Sequence, residues 1–453
     1  MSEHRQRALE AQSLIADLID AARKAGAEAA DAVYHESRSL SATVRMGQPE
    51  DVESSENRDL GLRVLMGRRQ ACVSTTDFTP QALRELLDRA VSMAKAAPED
   101  KFAGLPEKTQ LASRPDGLEL ELFDGVELEM PQLLDRAKAA EAGALAVSGV
   151  TNSEGGSAGR SFGIVAYANS LGFSGADWSG SHSISAAVIA GKDTGMERDW
   201  DYDAKTYYDD LPQPEAVGRK AGERAVRRLN PLKLDSGAMP IVFDPRVATS
   251  LVGHFTGAVN GASVARGTSF LKDKMGQAVF APGISIIDDP LRKRGFRSRW
   301  FDMEGVARQK RALVEDGRLT TWLLDCATAR QLGLASTGHA SRGTSSPPSP
   351  APTNVYLAPG TLSPRELMAD IKRGFYVTEL IGMGVNGVTG DYSRGAAGFL
   401  IIDGELAEPV SEITIAGNLK EMFPHLTPAN DLEFRFGTDA PTLRVDGMTI
   451  AGR

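Results

Sequence analysis

From Val150 to Asp203 the chain runs as β-favouring stretches punctuated by Gly and Ser (SFGIVAYANSLGF, then HSISAAVIAG). A segment of that length and texture is hard to place in anything but an antiparallel meander of short strands. The residues before it alternate between two periods. Leu14, Ile15, Leu18, Ile19 and Ala22 recur at the helical spacing, and Gly26 can end that helix in the left-handed conformation. Two β-like runs follow, Ala30–Tyr34 and Leu40–Val44, and Leu60–Val73 reads as a hairpin turning near Gly67. Thr79-Pro80 opens a second helix with a capping residue and a proline at its first position. Its apolar face is Leu83, Leu86, Leu87, Ala90, Val91 and Ala94. Residues 97–128 are loop-like, a helix is predicted over 131–146, and another over 213–229 follows Pro212 and Pro214.

Residues 230–236 (NPLKLDS) have the texture of a linker, which sets a boundary between a domain at 1–232 and a second at 233–453. At roughly 150 residues per domain, 453 residues also allow three units. The second part starts with a strand at Met239–Phe243 and a helix over 245–260. Asp316-Gly317 and Asp403-Gly404 sit between β-favouring runs, the signature of tight hairpins. Ser363-Pro364-Arg365-Glu366 is a capping box opening a short helix through Ile371, and four prolines between Pro347 and Pro352 mark a loop. The fold class is α+β: an N-terminal α/β domain with an antiparallel sheet and helices, then a β-rich C-terminal domain.

A net charge of −9 argues against a nucleic-acid binder, which needs clustered cations to neutralise phosphates. The start of the chain is polar and no stretch reaches the roughly 20 apolar residues of a membrane span, so a cytoplasmic protein is expected. Two cysteines, Cys72 and Cys326, exclude a disulfide scaffold and a cysteine-based structural zinc site. Cys326, within TWLLDCA, reads as a buried thiol on an apolar strand. The six histidines, His4, His35, His182, His254, His339 and His425, are too far apart for two imidazoles on one helical face. Gly382-Met383-Gly384-Val385-Asn386-Gly387 matches the dinucleotide fingerprint, but the Gly-rich VTGDYSRGAAG behind it cannot supply the helix that binds a pyrophosphate. Ser269/Lys272 and Ser92/Lys95 match a Ser-x-x-Lys spacing without the accompanying elements of a Ser-Lys enzyme. The basic run Arg292, Lys293, Arg294, Arg297 and Arg299 could grip an anion or a peptide carboxylate. The nearby Asp288, Asp289 and Asp302 favour a solvated, ion-paired face instead.

Residues 377–423 (VTELIGMGVNGVTGDYSRGAAGFLIIDGELAEPVSEITIAGNLKEMF) resemble the signature region of the TldD/PmbA family, on its PmbA (TldE) side. FDMEGVARQKRALVEDGRLTTWLLD (301–325), PTNVYL (352–357), PTLRVDGMTIAG (441–452) and NSEGGSAGRSFGIVAYANSLGF (152–173) extend the resemblance along the chain. It implies a cytoplasmic zinc metalloprotease of two homologous subunits that trims small or unfolded peptides. The TldD-type subunit carries an HExxxH helix and a later Cys as zinc ligands, and the TldE-type subunit lacks them. Here the corresponding positions fall on Val252, Gly253 and Gly257, with His254 the one nearby imidazole, and the Cys-bearing segment is missing from NDLEFRFGTDAPTLRV. The resemblance therefore implies a chain with no catalytic residue and no metal of its own, zinc in a TldD-type partner, and peptide held by strand-edge pairing. His254, Asp391, Tyr392 and Arg394 are its cavity or interface candidates, and the subunit interface should be large and apolar. An independent hydrolase built on His254, or a homodimeric peptide-binding module, are the alternatives.

Overall fold

The computed structural model describes residues 3–452; Met1, Ser2 and Arg453, at the outer ends of the two predicted domains, lie outside the described residues. The first half is a six-stranded antiparallel sheet with four helices on one face. Its strands are β1 (Ala29–Arg45), β2 (Gln48–Met66), β3 (Arg69–Thr75), β4 (Val150–Asn169), β5 (Ser174–Ala190) and β6 (Glu197–Lys205), in the order β3-β2-β1-β4-β5-β6. Strict alternation turns Ala32, Tyr34, Leu60, Leu62, Ile164 and Ala166 toward α1 (Glu3–Lys24) and α2 (Pro80–Ala96). Further along the same face, Ala42, Val44, Ala158, Ile184 and Val188 meet α3 (Met130–Leu145) and α4 (Pro214–Arg227).

The strands are longer than the sequence suggested. Ala30–Tyr34 and Leu40–Val44 are the two ends of one 17-residue strand, because the polar stretch between them pairs on both sides: His35 opposes Asp59 and Val165. Likewise β4 and β5 have 20 and 17 residues, and the glycines bend β4 rather than end it, with register shifts at Val150–Asn152 and Ser153–Gly155. The helix ends follow local chemistry. Thr79 Oγ1 accepts the Ala82 N–H at the start of α2, and Gly26 (φ +97°) closes α1 with the Ala27 N–H on Ala22 O.

Helices α3 and α4 touch backbone to backbone. A methyl on Gly218 would lie 1.8 Å from Ala140 O, and one on Gly143 2.5 Å from Glu215 O. Gly218→Ala gains about 1 kcal/mol of helix preference but forces the two helices apart, an overpacking cost of up to about 3 kcal/mol. A net loss of about 2 kcal/mol in urea unfolding is expected; an unchanged or raised midpoint would contradict this contact.

The second half begins at β7 (Gly237–Phe243) and α5 (Pro245–Ala258). β7 pairs in parallel with Arg373–Ile381, which continues antiparallel through Asp391–Ile402 to Glu405–Asn418. On its other edge β7 meets Leu443–Ala451, and Thr414–Ala416 pairs with Thr449–Ala451, closing the five strands into a barrel. Phe243, Leu251, Val252, Phe255, Phe280, Val377 and Phe423 share its core with a second, five-stranded sheet. Both Asp-Gly turns are as expected, with φ +47° and +75° at Asp316-Gly317 and +47° and +82° at Asp403-Gly404. Two expectations fail. Cys326 is not on a strand: Asp325 caps a helix that starts at Cys326, although the thiol is buried as predicted. The basic run does not pair with Asp288, Asp289 or Asp302. Arg292 reaches Asp439 within the second half, whereas Lys293 and Arg294 reach Glu121, and Arg294 also Asp210, because there the run lies against the first half.

The sheet's second face meets this half through Val33, Tyr167 and Phe173 against Trp300, Phe301 and Met303. Beside them Asp31 is buried between Arg63 of β2 and Arg342 of the second half. Arg246, at the start of α5, donates to both carboxylate oxygens of Asp199 on β6.

Candidate functional site

Helix α5 starts on an Asp244 cap that accepts the Arg246 N–H, with Pro245 at its first position. Its apolar positions Ala248, Leu251, Val252 and Phe255 fix which face enters the core. That leaves Gly253 and Gly257 one turn apart on the outer face, with nothing within 4 Å of where a methyl would stand. His254 stands beside them, half-buried, and its ring meets Tyr392 edge-to-face at 6.0 Å between centroids. Neither His254 Nε2 nor the Tyr392 hydroxyl has a hydrogen-bond partner. Burial, and then the Arg394 charge, hold the imidazole below its ordinary value, so it is neutral at pH 7. Burial pushes the Tyr392 phenol well up.

Strand alternation explains the grouping. Tyr392 and Arg394 share one face of Asp391–Ile402, where Arg394 donates to Ile381 O at 3.4 Å. Asp391 falls on the other face, bonded to Thr389 (2.6 Å) and Asn418 (2.9 Å), which hold its carboxyl below the usual range. Three of the four cavity or interface candidates thus come together and Asp391 stands apart. Between the strands of this hairpin, Gly384 has room for no side chain, a methyl there lying 2.0 Å from Ser393 O. The loop leads directly into a strand, which removes the dinucleotide reading of its three glycines. Ile381, Met383 and Val388 at its tip are exposed, Met383 at 89%.

Zinc does not fit here. Val252 points into the core, Gly253 and Gly257 offer no ligand atom, and His254 is a single imidazole facing a cation. Among the described residues no cluster of three or more His, Cys, Asp or Glu is arranged to hold a metal ion. The Cys326 thiol is held protonated by burial and by the neighbouring Glu304 and Asp302 carboxyls. Ser269 is a turn residue: its Oγ donates to Ala258 O and accepts the Leu271 N–H. Ser92 is exposed on α2. His339 is a structural group, bonded to Asp288 and Thr337. No described helix is long and apolar enough to cross a membrane.

Models of the PmbA/TldA metallopeptidase match the chain throughout: domain 1 at residues 30–94, the central domain at 124–229 and the C-terminal domain at 236–452. The chain belongs to the PmbA/TldD family. It is 38% identical to Metalloprotease PmbA of Escherichia coli O157:H7 over 94% of this chain and 93% of that one. It is 36% identical to the Metalloprotease PmbA homolog of Haemophilus influenzae, over 98% and 96%. The crystal structure of TldE from Thermococcus kodakarensis superposes with a TM-score of 0.86, covering 97% of this chain and all of that one, at 22% identity. The α+β architecture is therefore the TldE fold, and the family is proteolytic. The resemblance names Val252, Gly253, Gly257, His254, Asp391, Tyr392 and Arg394 one by one; the open glycine face of α5 and the meeting of His254 with Tyr392 and Arg394 come from the fold. The buried arginines Arg63 and Arg342 carried no signal in the sequence, since burial of a lone Arg leaves no periodic trace.

Proposed function

We propose that this chain is the non-catalytic, TldE-type subunit of a cytoplasmic two-chain zinc peptidase that trims small or unfolded peptides. Zinc and the activated water belong to a TldD-type partner. What supports this reading is helix α5, where the resemblance sets the metal motif of a TldD-type chain at about Val252, Gly253 and Gly257. Two residues without side chains and one buried valine neither ligate a metal nor move a proton. The same helix leaves an open face at Gly253 and Gly257, and the exposed apolar tip of Ile381, Met383 and Val388 is likewise suited to meet another subunit. The chain's role is then to roof the partner's active site and admit only flexible peptide, held by main-chain pairing at a strand edge. The same surface allows a homodimer when the partner is missing.

Metal analysis tests the assignment. This chain purified alone should hold far less than one zinc, and the pair about one, since a catalytic site needs three protein ligands and an open position. Stoichiometric zinc in the isolated chain, surviving His254→Ala or not, would overturn it.

A further inference from the structure

Where the outer face of the first sheet meets residues 296–308, the two halves line a partly open cavity of about 220 Å³. Asp177 and Ser179 of β5 line one wall; Arg299, Arg308 and Ser341 line the other, with Arg297 at its edge. The charges do not balance. The guanidiniums of Arg299 and Arg308 face one carboxylate, a formal +1 even with Asp177 ionised, while Arg297 turns toward Gly437 and Thr353 O.

The arginines are also poorly satisfied. Arg299 Nε is buried without a partner, and the one hydrogen bond recorded for its side chain goes to the neutral Met303 sulfur at 3.2 Å. Arg308 donates to Gly338 O at 3.3 Å. Among the described residues, neither has a carboxylate within ion-pair distance, unlike Arg292, Arg294 and Arg342 nearby. Asp177 is held from outside by Arg114 at 3.8 Å, and its Oδ2 is unpartnered. A guanidinium taken partly out of water without a counter-charge is disfavoured, and two lining one cavity repel each other as well. Burial pulls Arg299 down against the opposing charge of Asp177; burial and the Arg299 charge bring Arg308 to about 10 against the more distant Asp302, Asp288 and Asp177.

We propose that this cavity is a binding site for a small oxyanion, an inorganic phosphate or a compact carboxylate, clamped between the Arg299 and Arg308 guanidiniums. Planar forks of N–H donors match two-oxygen acceptors, which gives the site its chemistry. Its volume is below the roughly 300 Å³ at which pockets for larger organic ligands begin, so an ion fits and a nucleotide does not. Because the walls come from both halves, an ion bound there ties them together. The proposal does not rest on the peptidase reading.

The test is calorimetric titration of the full chain with phosphate and, separately, malonate, each against chloride of equal ionic strength. Saturable binding of either supports the site, and which one binds identifies the source of the oxyanion. Arg299→Gln should weaken it at least tenfold. Ser341→Asp, which places a resident carboxylate in the cavity, should do the same in a chain with unchanged circular dichroism. No saturable heat from either anion, or binding unchanged in a folded Ser341→Asp variant, would overturn the proposal.

Discussion

Asp31→Asn is expected to remove about 3–5 kcal/mol from the stability of the chain, read as a lowered midpoint in urea. Asp31 is wholly buried, and Arg63 Nε donates to its Oδ2 at 2.8 Å, with Arg342 on Oδ1 and the Tyr167 hydroxyl at 3.3 Å. Taking away the anion leaves two guanidiniums in the interior with no counter-charge, which is worse than having no ion pair at all. Burial alone would raise the Asp31 carboxyl. Arg63 and then Arg342 outweigh it and hold the group below its ordinary 3.8. The contribution is therefore complete above pH 3.8 and is lost as pH falls further, through the folded-state value. Since Arg342 comes from the other half of the molecule, the same substitution should loosen the contact between halves. A loss below about 1 kcal/mol would mean that the cluster is dispensable.

Glu304→Gln should act in the opposite direction. Glu304 is 1% exposed; burial first, and then the Asp302 carboxyl, raise it from 4.5 to about 8. The folded chain thus holds a proton that the unfolded chain releases, and stability falls as pH rises from about 4.5 to about 8. A group titrating that far from its unfolded value costs up to about 5 kcal/mol once pH exceeds 8. A glutamine keeps an oxygen for the Cys326 N–H, now bonded to Glu304 Oε2 at 2.7 Å, and needs no proton. Thermal unfolding of the variant should be flatter across this range and higher at pH 8. An unaltered pH slope would remove Glu304 as its source.

What was legible in the sequence was local. Thr79-Pro80 declared the start of α2, and the two Asp-Gly pairs declared their hairpins, because caps and left-handed turns are decided by residues within four positions. The length of β1 was not, since its polar middle is held by β2 and β4, which lie far away in the chain. Barrel closure at Thr414–Ala416 is invisible for the same reason. The basic run shows how charge misleads: acids near in sequence are not those near in space, and Glu121, Asp210 and Asp439 hold it instead. At the candidate site, periodicity places Gly253 and Gly257 on the outside of α5, but only the fold shows that Tyr392 and Arg394 face His254 while Asp391 does not.

The most direct measurement is peptidase activity on unstructured peptides from three samples: this chain alone, a TldD-type chain alone, and the two co-purified. The account predicts cleavage by the co-purified pair and none by this chain alone, since His254 with Tyr392 and Arg394 offers one imidazole and no ligand set for a metal-activated water. Cleavage by this chain in isolation, abolished by His254→Ala, would contradict it.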